Sequence, residues 1–208
     1  VWTGEVLPDE SGGFAVTPES LCLGLYLLGA VLIAGVMAWQ VVRIHRLRRG
    51  AEISRTGDYT LVRTRQEIAS FSFLRTIYVW DQTSKLMGHV ACTILPMELA
   101  AILAHESSHI AHRHSIERIL MELMKALLWW NPFAWIAARR LTEAEEFEAD
   151  NDVLNSGYNR AEYMQTIFRQ LFGYSPEIAN GLRNSLTKKR FKMMTMQTKS
   201  RHGLLRLA

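Results

Sequence analysis

The sequence predicts an α+β fold, mainly helical with a small β-sheet, attached to one transmembrane helix. Three observations lead to this expectation. Residues 20–42 are apolar and uncharged, short segments rich in β-branched and aromatic residues follow them, and the rest of the chain has a helix-forming composition. With 208 residues, 49% of them hydrophobic, the chain can form one medium-sized core besides its membrane segment.

The apolar segment predicts a membrane-spanning helix over residues 19–42. As a helix, residues 20–42 are about 34 Å long, slightly more than the roughly 30 Å hydrocarbon core of a bilayer. A buried core helix is disfavoured because the segment is long and uniformly apolar. A cleaved signal peptide is disfavoured because the preceding residues are acidic and include no Lys or Arg.

Four arginines immediately after this segment predict its orientation. By the positive-inside rule, the side that carries them is cytoplasmic. Residues 1–18 are then an extracytoplasmic tail or loop, and residues 43–200 form a cytoplasmic domain. The last residues, 201–208, are a basic juxtamembrane end that we expect to lead into a further span. The four arginines are Arg43, Arg46, Arg48 and Arg49.

Secondary-structure signals change from strands to helices along the domain. Three short strands are expected at residues 59–64, 70–80 and 88–94. Further along, Asn131–Pro132 has the pattern of an N-cap followed by proline at the first helical position, and Asn159 begins a capping-box pattern. The expected helices cover residues 99–111, 115–130, 132–154 and 159–173, with another beginning at Ser175–Pro176.

The most specific motif is His105-Glu106-Ser107-Ser108-His109, within a predicted helix. Histidines at i and i+4 project from nearly the same helix face, so their imidazoles can share one tetrahedral zinc ion. Glu106 lies one residue round, close enough to handle a water molecule at that ion. The pattern arises by chance in roughly 2% of shuffled chains, so the interpretation requires a third ligand.

An acidic segment, residues 142–152, is the source of the candidate third ligand. Most such segments are the solvated face of an amphipathic helix. Here, however, Glu146 and Asp150 are spaced i,i+4 and point the same way. Glu146 can coordinate the metal, while Asp150, or a neighbouring acid such as Glu143, orients a histidine ligand from behind.

His112 and His114 lie three and five residues after His109. By this spacing they are alternative metal ligands. The preceding turn already provides a complete pair, so a structural or ligand-supporting role is favoured for both. The residue that stabilises the oxyanion is left open among Tyr158, Tyr163 and His112.

Two families share this pattern of residues. His105-Glu106-x-x-His109 followed by Glu146-x-x-Ala149-Asp150 resembles the gluzincin arrangement of HtpX-type membrane peptidases. Residues 102–154 resemble more closely the BlaR/MecR-type membrane signalling peptidases. The closer resemblance includes Arg113-His114-Ser115 and Trp130-Asn131-Pro132-Phe133-x-Trp135. Many members have Cys where this chain has Ala149, a position that is not a proposed ligand.

The resemblance implies a zincin-like metallopeptidase domain on the cytoplasmic side of a bacterial inner membrane. Carried over residue by residue, His105, His109 and Glu146 bind Zn²⁺ and Glu106 is the general base. The implied function is a signal-transducing zinc endopeptidase that cleaves a cytoplasmic regulator, such as a transcriptional repressor, or itself. A membrane-protein quality-control peptidase and a non-catalytic transducer that uses the zinc fold as a scaffold are the alternatives.

Two further regions bear on the membrane. Residues 119–138 are apolar but lie between the two halves of the proposed site, so a simple span would separate the ligands. They are either core packing or a shallow dip into the interface, and an amphipathic helix pair lying on the membrane is favoured. The basic last forty residues favour contact with anionic lipid headgroups, and direct nucleic-acid binding is not expected.

Overall fold

The computed structural model describes residues 17–80, 96–172 and 185–203. Within them, a small four-stranded sheet lies between a long N-terminal helix and a group of five helices. The strands are β1 (Glu52–Thr56), β2 (Tyr59–Thr64), β3 (Phe71–Phe73) and β4 (Thr76–Trp80). The helices are α1 (Pro18–Leu47), α2 (Pro96–Ala111), α3 (His114–Leu127), α4 (Pro132–Asn155), α5 (Arg160–Phe172) and α6 (Ser185–Gly203).

The sheet is mixed, with strand order β1-β2-β4-β3. β2 pairs in parallel with β4, and the two outer strands pair antiparallel with their neighbours. The strand expected at 59–64 is confirmed. The one expected at 70–80 is two strands, because Leu74 has a positive φ of 53° and turns the chain back. β1 was not predicted, and 88–94 lies outside the described residues.

Two helices begin at the N-cap residues that the sequence predicts. The Asn131 side chain accepts a hydrogen bond from the Phe133 N–H at 2.9 Å and begins α4, and Asn159 does the same for Ala161 at α5. α4 ends before Gly157, which has a φ of +92°. α6 was not predicted, and the helix expected at Ser175–Pro176 lies outside the described residues.

α2, which carries the histidine motif, has apolar contacts on two sides. On one side, Leu99 and Leu103 pack against the sheet residues Ile77 and Val79. On the other side, Ala101 joins a core formed with α4, α5 and α6. That core contains Val153, Tyr163, Ile167 and Met194. These contacts hold the motif between the sheet and the helices, so the mainly helical α+β fold is confirmed.

The opposite face of the sheet receives the end of α1, where Leu47 packs with Val62 and Tyr78. The rest of α1 is different, because its apolar side chains are largely exposed. Among the described residues, it is the one helix that is long and apolar enough to cross a bilayer, judged by length and composition.

Candidate metal centre

The structure brings the two motif histidines and Glu146 together. The Nε2 atoms of His105 and His109 are 3.3 Å apart. The Glu146 carboxylate, carried by α4, lies 3.5 Å from His105 Nε2 and 3.7 Å from His109 Nε2. The three side chains therefore form a cluster that can hold a metal ion.

The spacing of these atoms fits a tetrahedral ion. Zinc bonds to histidine nitrogen and carboxylate oxygen are about 2.0–2.2 Å long, so two tetrahedral ligands of one zinc ion lie roughly 3.3–3.6 Å apart. The His105–His109 separation lies in that range, and the two distances to Glu146, which end on different oxygens of its carboxylate, are close to it. One imidazole pair and one carboxylate also match the donor set of catalytic zinc sites, which leave a position for water.

His105 is oriented by two residues on the far side of its ring. The Tyr163 hydroxyl donates a hydrogen bond to the Asp150 carboxylate at 2.7 Å, so its oxygen is free to accept one. That oxygen lies 2.8 Å from His105 Nδ1, with Asp150 Oδ1 at 3.4 Å. A proton on Nδ1 satisfies both contacts and leaves the Nε2 lone pair directed at the cluster.

His109 is oriented by a second histidine. The His114 Nε2–H donates to the Glu148 carboxylate at 3.1 Å, which leaves His114 Nδ1 as an acceptor. His109 Nδ1 lies 2.7 Å from that acceptor and donates to it. Burial first, and then the proximity of His105, lower the pKa of His109 to about 3. Its ring is therefore neutral near pH 7, with the Nε2 lone pair available to a metal.

Glu146 is held in place by two arginines. Arg190 Nη1 lies 2.9 Å from one carboxylate oxygen, and Arg118 Nη2 lies 3.2 Å from the other. Burial on its own raises the pKa of Glu146. The hydrogen bond to His105 and the charges of Arg190 and the histidines outweigh it, so the pKa lies well below its ordinary value. Glu146 is therefore ionised.

Glu106 is buried beside the cluster, with 5% of its surface exposed. Its side chain accepts a hydrogen bond from Ser72 on β3. Burial raises the pKa of Glu106, and His105 and the Ser72 hydrogen bond offset this only in part. A raised carboxyl pKa suits a group that must take up and release a proton near neutral pH.

These side chains line a cleft of about 180 Å³. One wall is formed by residues 69–72, which lead into and include the edge strand β3, and the other by α5. The ends of β3 are fixed, because Gln170 donates to Ser70 Oγ at 2.6 Å and the Leu74 N–H donates to Ser115 Oγ at 2.9 Å. The cleft therefore joins β3, an edge strand among those described, to the His/His/Glu cluster.

Asp150 and Glu143, both expected to support the ligands, have different positions. Asp150 is fully buried and contacts His105, Tyr163 and Arg190. Glu143 does not line the cleft. It lies about one turn before Glu146 on α4, where Arg140 of the same helix and Lys189 of α6 bind its carboxylate.

His112 also lies away from the cluster. Its ring nitrogens contact Asp152 at 2.9 Å and Glu148 at 3.4 Å, so it reaches the site only through Glu148 and His114. Among the residues left open for the oxyanion, Tyr163 lines the cleft, whereas Tyr158 lines a neighbouring cavity. Arg118, Arg190 and Ser72 were missed by sequence reasoning, because nothing in their local sequence distinguishes them from surface residues.

Within the described residues, a small sheet with β3 at one edge, a His-Glu-x-x-His helix and a carboxylate from a second helix form the arrangement expected of a metallopeptidase. The comparison with known families specifies the class. The family model described as BlaR1 peptidase M56 matches residues 18–194, and the chain belongs to that family. This membership and the apolar α1 support a membrane-associated peptidase. No curated protein matches the chain.

Proposed function

We propose that this chain is a membrane-anchored zinc endopeptidase whose catalytic domain lies in the cytoplasm of a bacterium. Its substrate is a cytoplasmic regulator, such as a transcriptional repressor, or the chain itself. The observation that carries this proposal is the convergence of His105, His109 and Glu146 at tetrahedral spacing beside the buried Glu106. The four arginines in the last turns of α1 and just after it support the cytoplasmic placement.

The residues of the site have separable tasks in peptide hydrolysis. His105, His109 and Glu146 would hold a zinc ion, which would supply Lewis-acid chemistry to polarise the scissile carbonyl and lower the pKa of water. Glu106 takes a proton from the attacking water and passes it to the leaving amine. Tyr163 with Asp150, and His114 with Glu148, keep the two imidazoles in the tautomer that binds metal.

An extended substrate segment fits along β3. Among the described strands, β3 is at the edge of the sheet and borders the cleft, so its outer side is suited to pair with a peptide backbone. Ser72, in the middle of β3, hydrogen-bonds to Glu106. A backbone paired with β3 would therefore pass directly beside the general base, as an endopeptidase requires.

The partners we propose besides the substrate are lipids. Lys188 and Lys192, both exposed, give the start of α6 a basic character. Such residues next to a membrane segment interact favourably with anionic headgroups. Aromatic residues that would stack on bases are scarce in this region, so we propose no direct binding of nucleic acid.

Replacing Glu106 with Gln tests the proposed function. The full-length chain in detergent is incubated with zinc and with casein as an unstructured substrate. Glu106→Gln should lower the cleavage rate roughly 10²–10⁴-fold, because it removes the proton acceptor. The bound metal, measured by atomic emission, should remain at the parent level, because Glu106 is not a ligand.

Glu143→Gln is the matched control, since it removes one carboxylate from the neighbouring helix without touching the cleft. Cleavage and metal content should both be unchanged in it. Full activity of Glu106→Gln would end the general-base assignment. A parent protein that binds no zinc would end the metallopeptidase assignment altogether.

A further inference from the structure

Residues 119–138, called here the apolar hairpin, comprise most of α3, the following turn and the start of α4. Large hydrophobic side chains along this hairpin are exposed, although soluble proteins rarely leave contiguous apolar surface of this kind uncovered. They include Leu120, Leu123, Leu127, Trp130, Phe133 and Ile136. The hairpin therefore requires an apolar environment.

The only charged residues in the apolar hairpin are Glu122 and Lys125. Their side chains pair at 2.6 Å, and the Lys125 ammonium also lies 4.8 Å from the centre of the Trp135 ring. Because the two charges neutralise each other, moving the hairpin into hydrocarbon does not carry an unpaired charge.

The turn of the hairpin is docked on the middle of α1. The Trp129 Nε1–H donates to the Tyr26 carbonyl at 3.1 Å, and the Tyr26 hydroxyl donates to the Leu127 carbonyl at 2.9 Å. Gly29 permits this approach, because a methyl group there would overlap the Trp129 indole. The turn therefore lies beside the apolar part of α1 and not beside its charged end.

The opposite ends of α1 and α3 also lie close together. Leu47, at the end of α1, packs with Tyr78 of the sheet, and Ser115, at the start of α3, accepts a hydrogen bond from Leu74 between β3 and β4. The two helices are therefore antiparallel. α3 runs from the sheet and the metal centre towards the middle of α1.

The position of the Gly29–Trp129 contact along α1 indicates how deep in the bilayer the turn of the hairpin lies. Trp39 is exposed and lies 5.4 Å from the Arg46 guanidinium, as expected at the boundary between hydrocarbon and headgroups. Gly29 precedes Trp39 by about 15 Å of helix, half of the roughly 30 Å hydrocarbon core. On α4, the first charged residue after the hairpin is Arg139, about 10 Å beyond Pro132 and within reach of the headgroups.

We propose that the apolar hairpin is re-entrant: it enters the cytoplasmic leaflet beside α1, ends near the bilayer midplane and is covered by lipid acyl chains. This inference rests on the proposed membrane anchoring by α1, with which the hairpin surface is continuous. Glu146 lies about 21 Å along α4 from Pro132, so the metal centre is level with the headgroups. The metal centre would therefore act on peptide bonds that lie close to the membrane surface.

Depth-dependent fluorescence quenching tests this placement. Single-cysteine variants of the full chain, made with Cys22→Ser and Cys92→Ser, carry a polarity-sensitive fluorophore at Leu127 or Leu120. Val31 on α1 and Ile53 on β1, both exposed, are the control positions. The labelled proteins are reconstituted in phosphatidylcholine–phosphatidylglycerol vesicles whose lipids carry a nitroxide either near the headgroup or near the acyl-chain end.

The Leu127 label should be blue-shifted and quenched more strongly by the deep nitroxide, as should the Val31 label. The Leu120 label should be quenched more strongly by the shallow nitroxide, and the Ile53 label by neither. A Leu127 label that is quenched mainly by the shallow nitroxide, or by neither, while Val31 is deep, overturns the re-entrant hairpin and leaves the anchoring intact. A Val31 label quenched by neither overturns the anchoring as well. Trp130→Cys replaces Leu127→Cys if gel filtration shows that the latter is misfolded.

Discussion

The first half of α4 exposes large apolar side chains, whereas its second half buries carboxylates. Near its start, Phe133 and Ile136 are exposed, whereas Glu145 and Asp150 in its second half are 2% and 0% exposed. In water the usual preference is the reverse. The same helix therefore has two different surroundings: lipid, as we propose, around its first turns, and a set of fixed cations around its last ones.

The comparison shows that the buried carboxylates depend on specific partners and the exposed apolar residues do not. Asp150 has Arg190 at 2.6 Å, and Glu146 is shared by Arg190 and Arg118. Losing one such partner leaves a charge buried without compensation. In the apolar hairpin, by contrast, one lipid-facing side chain can replace another, and only its close contact with α1 is geometrically restricted.

The largest predicted effect on stability concerns the second half of α4, which buries carboxylates. Arg190→Met leaves both Asp150 and Glu146 short of a cation, and should lower the free energy of unfolding of the metal-free protein by roughly 3–5 kcal/mol. Thermal unfolding in detergent measures this loss, and added zinc should restore part of it by neutralising Glu146. Lys189→Met, which removes an exposed cation one residue away, is the control and should change little. Equal melting of Arg190→Met and the parent would show that the pairing is not needed.

An intermediate effect is expected on metal affinity when a residue that orients a metal ligand is replaced. His114→Phe keeps the volume of a buried ring but removes the acceptor for His109 Nδ1, and should weaken metal affinity about 10–100-fold. Competition with a chromogenic chelator measures the affinity. His112→Phe is the control, because its ring contacts Asp152 and Glu148 and not a motif histidine. If the His112 variant loses as much affinity as the His114 variant, the assigned relay is incorrect.

The smallest effect on stability is expected where the apolar hairpin contacts α1. Gly29→Leu overlaps the Trp129 indole and should destabilise the helix contact by about 1–3 kcal/mol, as overpacking does. Gly24→Leu adds the same side chain to the same helix, where nothing lies within 4 Å of the added Cβ, and is the control. Thermal unfolding in nanodiscs compares the two variants. A difference of the opposite sign would mean that Trp129 does not dock at Gly29.

Sequence reasoning was most reliable where the interaction is local. His105 and His109 share a helix face because their spacing is one turn, and Asn131 and Asn159 cap helices two residues later through their own side chains. It was least reliable for the supporting residues. Glu143 was named as an alternative to Asp150 because it is near Glu146 in the chain, yet its carboxylate pairs with Arg140 and Lys189.

The sequence by itself determined the motif helix and the apolar character of α1, since each depends on residue type and short spacing. It singled out Glu146 by the i,i+4 spacing with Asp150 and by the resemblance to a known family. Only the tertiary structure decided which side chains surround them. Arg118, Arg190, Ser72 and Tyr163 reach the site from four separate elements. Their positions depend on how those elements pack, and no short-range pattern encodes that. The docking of the apolar hairpin on Gly29 has the same origin, because it joins residues about a hundred positions apart.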